Sequence, residues 1–127
     1  MAVSDFPVIR TAIPKRRYRA GDQNVTVLGE IESGDGIRYR WIMAFVQDGQ
    51  ARPGFYVCAE KNRPGNDAAY RLRVVNAVMS EVVDQSDGLA DLDTFAEEGL
   101  RLGRGALGLG NEPVARLIDA SVIAVWL

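Results

Sequence analysis

Apolar and polar residues alternate with a period of two over three runs, residues 24–32, 37–46 and 54–61. That period belongs to half-buried β-strands. Turn-forming residues separate the runs, first Ser33-Gly34-Asp35-Gly36 and then Asp48-Gly49 through Pro53, so consecutive hairpins are expected. Requiring both faces to make sense sets the register. Across the first hairpin Val25 faces Phe45, Val27 Met43, Gly29 Trp41 and Ile31 Tyr39, with Leu28–Ile42, Glu30–Arg40 and Glu32–Arg38 on the other face. Across the second, Phe45 faces Phe55, Met43 Val57, Trp41 Ala59 and Arg40 Glu60. A slip of one residue would set charges opposite apolar residues in both hairpins.

A further run from Tyr70 turns Tyr70, Leu72 and Val74 inward and Arg71 and Arg73 outward, with Cys58 opposite Arg71. Residues 78–83 continue it as a fifth strand, or as the same strand beyond a bulge at Asn76-Ala77. The period then changes. Leu92, Phe95, Ala96, Gly99, Leu102, Gly103 and Ala106 share one face of a helix expected over residues 91–108. Asp91 suits its N-cap, acidic residues crowd its start, and Gly108 and Gly110 suit its end. A glycine inside a helix costs roughly 1 kcal/mol relative to alanine, so Gly99, Gly103 and Gly105 need a reason. Gly99 and Gly103 lie on the packing face and would admit a bulky side chain; Trp41, Phe45 and Tyr39 are the candidates.

The ends are less regular. Pro7 and Pro14 exclude a helix interior and a central strand, so residues 1–14 are expected as an extended arm or edge strand. Residues 15–19 form a basic run beside a turn at Ala20-Gly21-Asp22. Asn111-Glu112-Pro113 suits the start of a short second helix through Ile118, and the apolar residues 121–127 are expected to dock. The expected fold class is α+β: an antiparallel meander of five or six strands within residues 24–84, one C-terminal helix across a face, and a tail over residues 112–127. All of it is expected in one domain, residues 1–127.

Composition narrows the chemistry. With 47% apolar and 25% charged residues over 127 positions, the chain is that of an ordinary globular protein. No apolar stretch approaches the ~20 residues of a membrane span, and no basic-then-apolar leader opens the chain, so a cytoplasmic protein without membrane association is expected. There is no histidine and one cysteine, which removes imidazole zinc sites, thiolate clusters and Cys–His dyads. No cofactor or metal is expected. Residues 1–75 carry 12 basic and 8 acidic groups, residues 76–127 carry 3 and 9. This asymmetry reads first as a mixed-charge sheet beside an acidic helix start.

Candidate ligand-binding residues are Arg71, Arg73, Tyr56 and Cys58 on the outer sheet face, where guanidinium groups and a ring suit phosphate or a nucleobase. Glu30, Glu32 and Glu60 are expected to neutralise Arg38 and Arg40, leaving Arg71 and Arg73 without acidic partners; nucleic-acid binding is disfavoured. The rest of that face is apolar: Leu28, Ile42, Ala44 and Val46 beside Tyr56 and Cys58. An uncovered patch of this kind calls for a cover, which the N-terminal arm, the C-terminal tail with Trp126 and Leu127, or a second copy would supply. A homodimer is the expected assembly. The functional expectation is a non-catalytic binding or assembly module acting through protein–protein contacts. A small-molecule or polyanion-binding domain and a histidine-independent enzyme are the alternatives.

Overall fold

The computed structural model describes residues 5–110, 112–119 and 123–126. The architecture is α+β. The strands are β1 (Ile9–Ala20), β2 (Gln23–Ser33), β3 (Tyr39–Gln47), β4 (Phe55–Lys61), β5 (Tyr70–Asn76), β6 (Ser80–Gln85), β7 (Val114–Asp119) and β8 (Ile123–Trp126). They form one antiparallel sheet in the order β6-β5-β4-β3-β2-β1-β7-β8, crossed by the helix α1 (Leu92–Ala106). The sheet is wider than the five or six strands expected, because both ends of the chain add strands to it.

At the N-terminal end, the segment expected as an extended arm or edge strand is a strand from Ile9 onward, running on to Ala20. Pro14 is tolerated because β1 meets β7 only over Arg17–Ala20, so at Pro14 the strand has a single neighbour, β2, and the missing N–H removes no ladder bond on the open side. At the C-terminal end, the expected short helix is a strand. Val114 and Ala115 are both buried, and residues 114–117 pair with β1. A six-residue helix satisfies few of its own backbone groups, whereas a strand laid on an open sheet edge satisfies a full row. β8 returns along β7 in the same chain, so the backbone of the tail docks in cis; Leu127 lies outside the described residues.

The central registers follow the sequence. Val25↔Phe45, Val27↔Met43 and Leu28↔Ile42 pair in the first hairpin, and Phe45↔Phe55, Met43↔Val57 and Trp41↔Ala59 in the second. The far end differs. The β2–β3 ladder stops at Leu28↔Ile42, Glu30 takes a positive φ of 48°, and a bulge at Arg40 sets Tyr39 against Glu60. The expected Glu30–Arg40, Glu32–Arg38 and Arg40–Glu60 pairs therefore do not form. Arg40 instead lies over the Trp41 ring, 4.3 Å from its centroid, and donates to the Ala90 carbonyl. In the third hairpin Cys58 faces Arg73, not Arg71. β6 is a separate strand, reached through a turn in which Asn76 Oδ1 accepts from the Val78 and Met79 amides.

The helix packs over β3 and β4 through its glycines. A Cβ on Gly99 would stand 2.7 Å from Met43 Cε, and one on Gly103 2.1 Å from Phe45 Cζ. Phe45 was among the expected partners; Met43 takes the place offered to Trp41 and Tyr39, and Trp41 instead closes on Gly29, 2.7 Å from where its Cβ would be. The Asp91 carboxylate caps the helix by accepting from the Thr94 amide.

Candidate functional site

The outer-face residues singled out from sequence do come together, but as a closed cluster. Glu60 is 1% exposed and accepts from Arg71 Nε at 2.7 Å and Arg73 Nε at 3.0 Å, while Arg73 also donates to the Ser80 hydroxyl. The two arginines expected to lack an acidic partner share one. Their charge is committed to a buried carboxylate, which removes much of their value to an external anion. Tyr56 is buried beneath Phe6, with ring centroids 5.3 Å apart. Cys58 is buried, and its thiol is pushed up by desolvation and by the nearby Glu60 charge, with Arg73 opposing. Such a thiol is inert.

The apolar part of this face is covered from within the chain. Ile42, Ala44, Tyr56, Cys58 and Val75 form a second buried cluster, closed by Phe6, Ile9, Leu28, Ile31 and Tyr39. The cover is the N-terminal arm, held by Asp35. Its carboxylate accepts from the Val8 amide at 3.1 Å, the Ile37 amide at 3.0 Å and the Tyr39 hydroxyl at 2.7 Å. Burial pushes Asp35 up, but these hydrogen bonds outweigh it and hold the carboxyl below its usual value. Beneath the arm remains a small space of about 180 Å³, bordered by Tyr39, Glu60, Arg73 and Ser80. Those four side chains already satisfy one another or Asp35.

The larger space lies on the helix side. Strands are spaced about 4.8 Å apart and a helix with its side chains is about 10 Å wide, so one helix covers two or three strands of a broad sheet. α1 sits on β3 and β4, leaving β1 and β7 beside its flank. Between them runs a groove of about 870 Å³. Tyr18, Ala96, Leu100 and Val114 are buried apolar residues lining it. Alternation along β1 brings Arg16 and Tyr18 to the same face, and the Tyr18↔Arg116 pairing sets Arg116 beside them.

Four guanidinium groups line the groove, and their states differ. Arg16 pairs with Asp93 and touches the Tyr18 hydroxyl. Arg101 pairs with Glu98, three residues before it on the helix, at 2.7 Å. Among the described residues Arg104 has no carboxylate partner and its buried Nε has no partner at all; its Nη2 donates to the Gly110 and Glu112 carbonyls at 2.8 and 2.9 Å. Arg116 has no side-chain partner among the described residues. Two acidic groups of the lining, Glu97 and Glu112, likewise have no ion pair among the described residues.

Sequence reasoning missed this site. Its residues come from β1, α1 and β7, and β7 was expected to be helical. The available signal was Gly105, a costly helical glycine off the packing face. Among the described residues no group of three or more carboxylates or thiols is placed to hold a metal ion, and no helix is long and apolar enough to cross a membrane. No protein-family model matches the chain, and neither a curated protein nor a solved structure matches it.

Proposed function

We propose that the protein is a non-catalytic binding module whose ligand sits in the groove between α1 and strands β1 and β7. The observation that carries this reading is the groove itself, about 870 Å³ with an apolar floor and charged rim. Ligand sites of small molecules are clefts of roughly 300–1,000 Å³, mostly apolar, with a few placed polar groups. A catalytic reading has less support: the thiol is buried and inert, and the outer-face arginines are tied to Glu60. The test uses 1-anilinonaphthalene-8-sulfonate, a fluorescent probe with an apolar body. The native protein is expected to bind it saturably at one site. Gly105→Trp adds a ring where a Cβ meets nothing within 4 Å among the described residues, so it is expected to fill the groove without disturbing the core. This variant is expected to bind about tenfold more weakly or worse, with cooperative melting retained. Equal binding by both proteins, or none by the native chain, overturns the reading.

The assembly reading has one observation in its favour, at a place the sequence did not indicate. Leu28, Ile42 and Ala44 are closed into the cluster under the arm, Val46 is half-buried outside it, and Val8 and Ile13 are exposed toward the N-terminal end. The largest group of exposed large apolar side chains among the described residues lies at the β6 edge, where Val78 is 93% exposed with Val82 and Val83 beside it. A second copy pairing along β6 would cover them. Glu81 and Asp84 and the bulge in the β5–β6 ladder oppose such pairing, which makes this the second reading. Light scattering over a dilution series decides it. A mass that stays monomeric at high concentration ends it, and a dimer that Val82→Lys dissociates supports it.

A further inference from the structure

We infer that the ligand of this groove is an amphipathic anion, a carboxylate or phosphate carried on an apolar body, with Arg104 and Arg116 receiving the charge and Gly105 leaving room for the body. The inference rests on the groove being the binding site and adds the class of its occupant.

Three observations point the same way. The first is charge. The last carbonyls of α1 oppose an anion at this end of the groove, so any anion there must be met by side chains. Arg104 donates hydrogen bonds to two loop carbonyls, those of Gly110 and Glu112, and is fixed in direction by doing so. Among the described residues it is nevertheless without a carboxylate partner, and its buried Nε–H is unused. A buried donor left unsatisfied carries a desolvation penalty that an arriving oxygen atom relieves. With both Nη2 hydrogens given to those carbonyls, Arg104 offers single donors, and the planar fork that suits the two oxygens of a carboxylate or phosphate is left to Arg116. Arg116 adds a second positive charge across the groove. Arg16 and Arg101 are matched by Asp93 and Glu98, so they balance rather than attract. Glu97 and Glu112 sit on the exposed rim and oppose a bare anion, which favours a ligand whose charge reaches inward to Arg104 while its body fills the apolar floor.

The second observation is the floor. Tyr18, Ala96, Leu100 and Val114 offer apolar surface that phosphate alone would leave unused. The third is Gly105. Gly99 and Gly103 are explained by Met43 and Phe45, against which a Cβ would clash. Gly105 has no such neighbour among the described residues: a Cβ there meets none of them within 4 Å, and the residue lines the groove. A glycine that packing does not require and helix stability disfavours makes sense as clearance for something absent from the chain.

The test compares octanoate, octyl phosphate, octanol and inorganic phosphate by isothermal titration against the native protein, Arg116→Gln and Gly105→Ala. Octanoate or octyl phosphate, whichever matches the group bound, should exceed octanol and inorganic phosphate by about tenfold or more in affinity. Their ratio distinguishes a carboxylate from a phosphate ligand. Arg116→Gln should reduce that preference severalfold without changing the melting temperature. Gly105→Ala should weaken binding while leaving the melting temperature equal or higher, a split that a structural role would not give. Octanol binding as well as the anions, in the groove and blocked by Gly105→Trp, overturns the anion inference and leaves the binding-module reading standing. Binding of none of the octyl probes overturns both.

Discussion

A methyl group on Gly103 would stand 2.1 Å from Phe45 Cζ, whereas one on Gly105, two residues on, meets nothing among the described residues. The two alanine variants should therefore differ in sign. Gly103→Ala is expected to destabilise by about 1–3 kcal/mol, because a ring in a packed core cannot yield that far. Gly105→Ala should be neutral or stabilising by up to about 1 kcal/mol. Urea denaturation of both checks this, and equal losses would contradict the packing described. Glu60 offers a second contrast. Removing its charge in Glu60→Gln leaves Arg71 and Arg73 facing a buried amide, an expected loss of about 2–3 kcal/mol, toward the low end for broken buried pairs since both arginines keep some solvent contact. The helical spacing made the glycine face readable in the sequence. The identity of the partner was not, since choosing between Met43 and its inward neighbours on β3 depends on where the helix crosses. The Glu60 triad was hidden for a related reason: the bulge at Arg40 and a two-residue difference in the third register moved both arginines onto a carboxylate assigned elsewhere.

The arm at residues 5–8 and strand β7 show how elements at the ends of the chain depend on what they meet. The arm covers Tyr56 with Phe6 and is tied down through Val8 and Asp35. Asp35 is held below its usual value in the folded protein, so the native state favours the ionised form. Its contribution is complete above the ordinary carboxyl value near 3.8 and is lost as pH falls through the depressed native value. Acidification should thus loosen the arm before the sheet unfolds, and Asp35→Asn should weaken the arm's anchorage at neutral pH. Amide hydrogen exchange at Val8 and Gly34, whose N–H donates to the Val8 carbonyl, reports it; protection at both sites unchanged by the substitution would contradict the anchor. Period-two alternation identified β2 to β5 because each has an apolar face opposite a mixed one. It failed at residues 114–119, where a proline followed by a short apolar run suits a helix start and a strand equally and the open edge of β1 decides.

Among the described residues the sheet is too broad for α1, and the proposed binding surface follows from that mismatch. Sequence patterning directed attention to the outer face, because a sheet of five or six strands with a helix on one side leaves the other side bare. The arm, one of three covers the sequence offered, closes the bare side; that β1 with β7 and β8 widens the sheet past the helix was not legible. For reasons of size, the proposed site lies on the opposite face from the one the sequence indicated. Burial of Cys58 agrees with the closed outer face, and its thiol, pushed up by burial, should react with a disulfide reagent at neutral pH only as fast as the protein opens. Rapid labelling in the native state would contradict a closed cover. The most direct measurement on the central claim is a titration of isotope-labelled protein with octanoate, followed residue by residue through its amide resonances. Saturable shifts concentrated at Leu100, Gly105, Val114 and Arg116, with the outer face silent, are the result the groove demands. Shifts concentrated at Leu28, Ile42, Ala44 and the arm, or scattered over the surface without saturation, would contradict it.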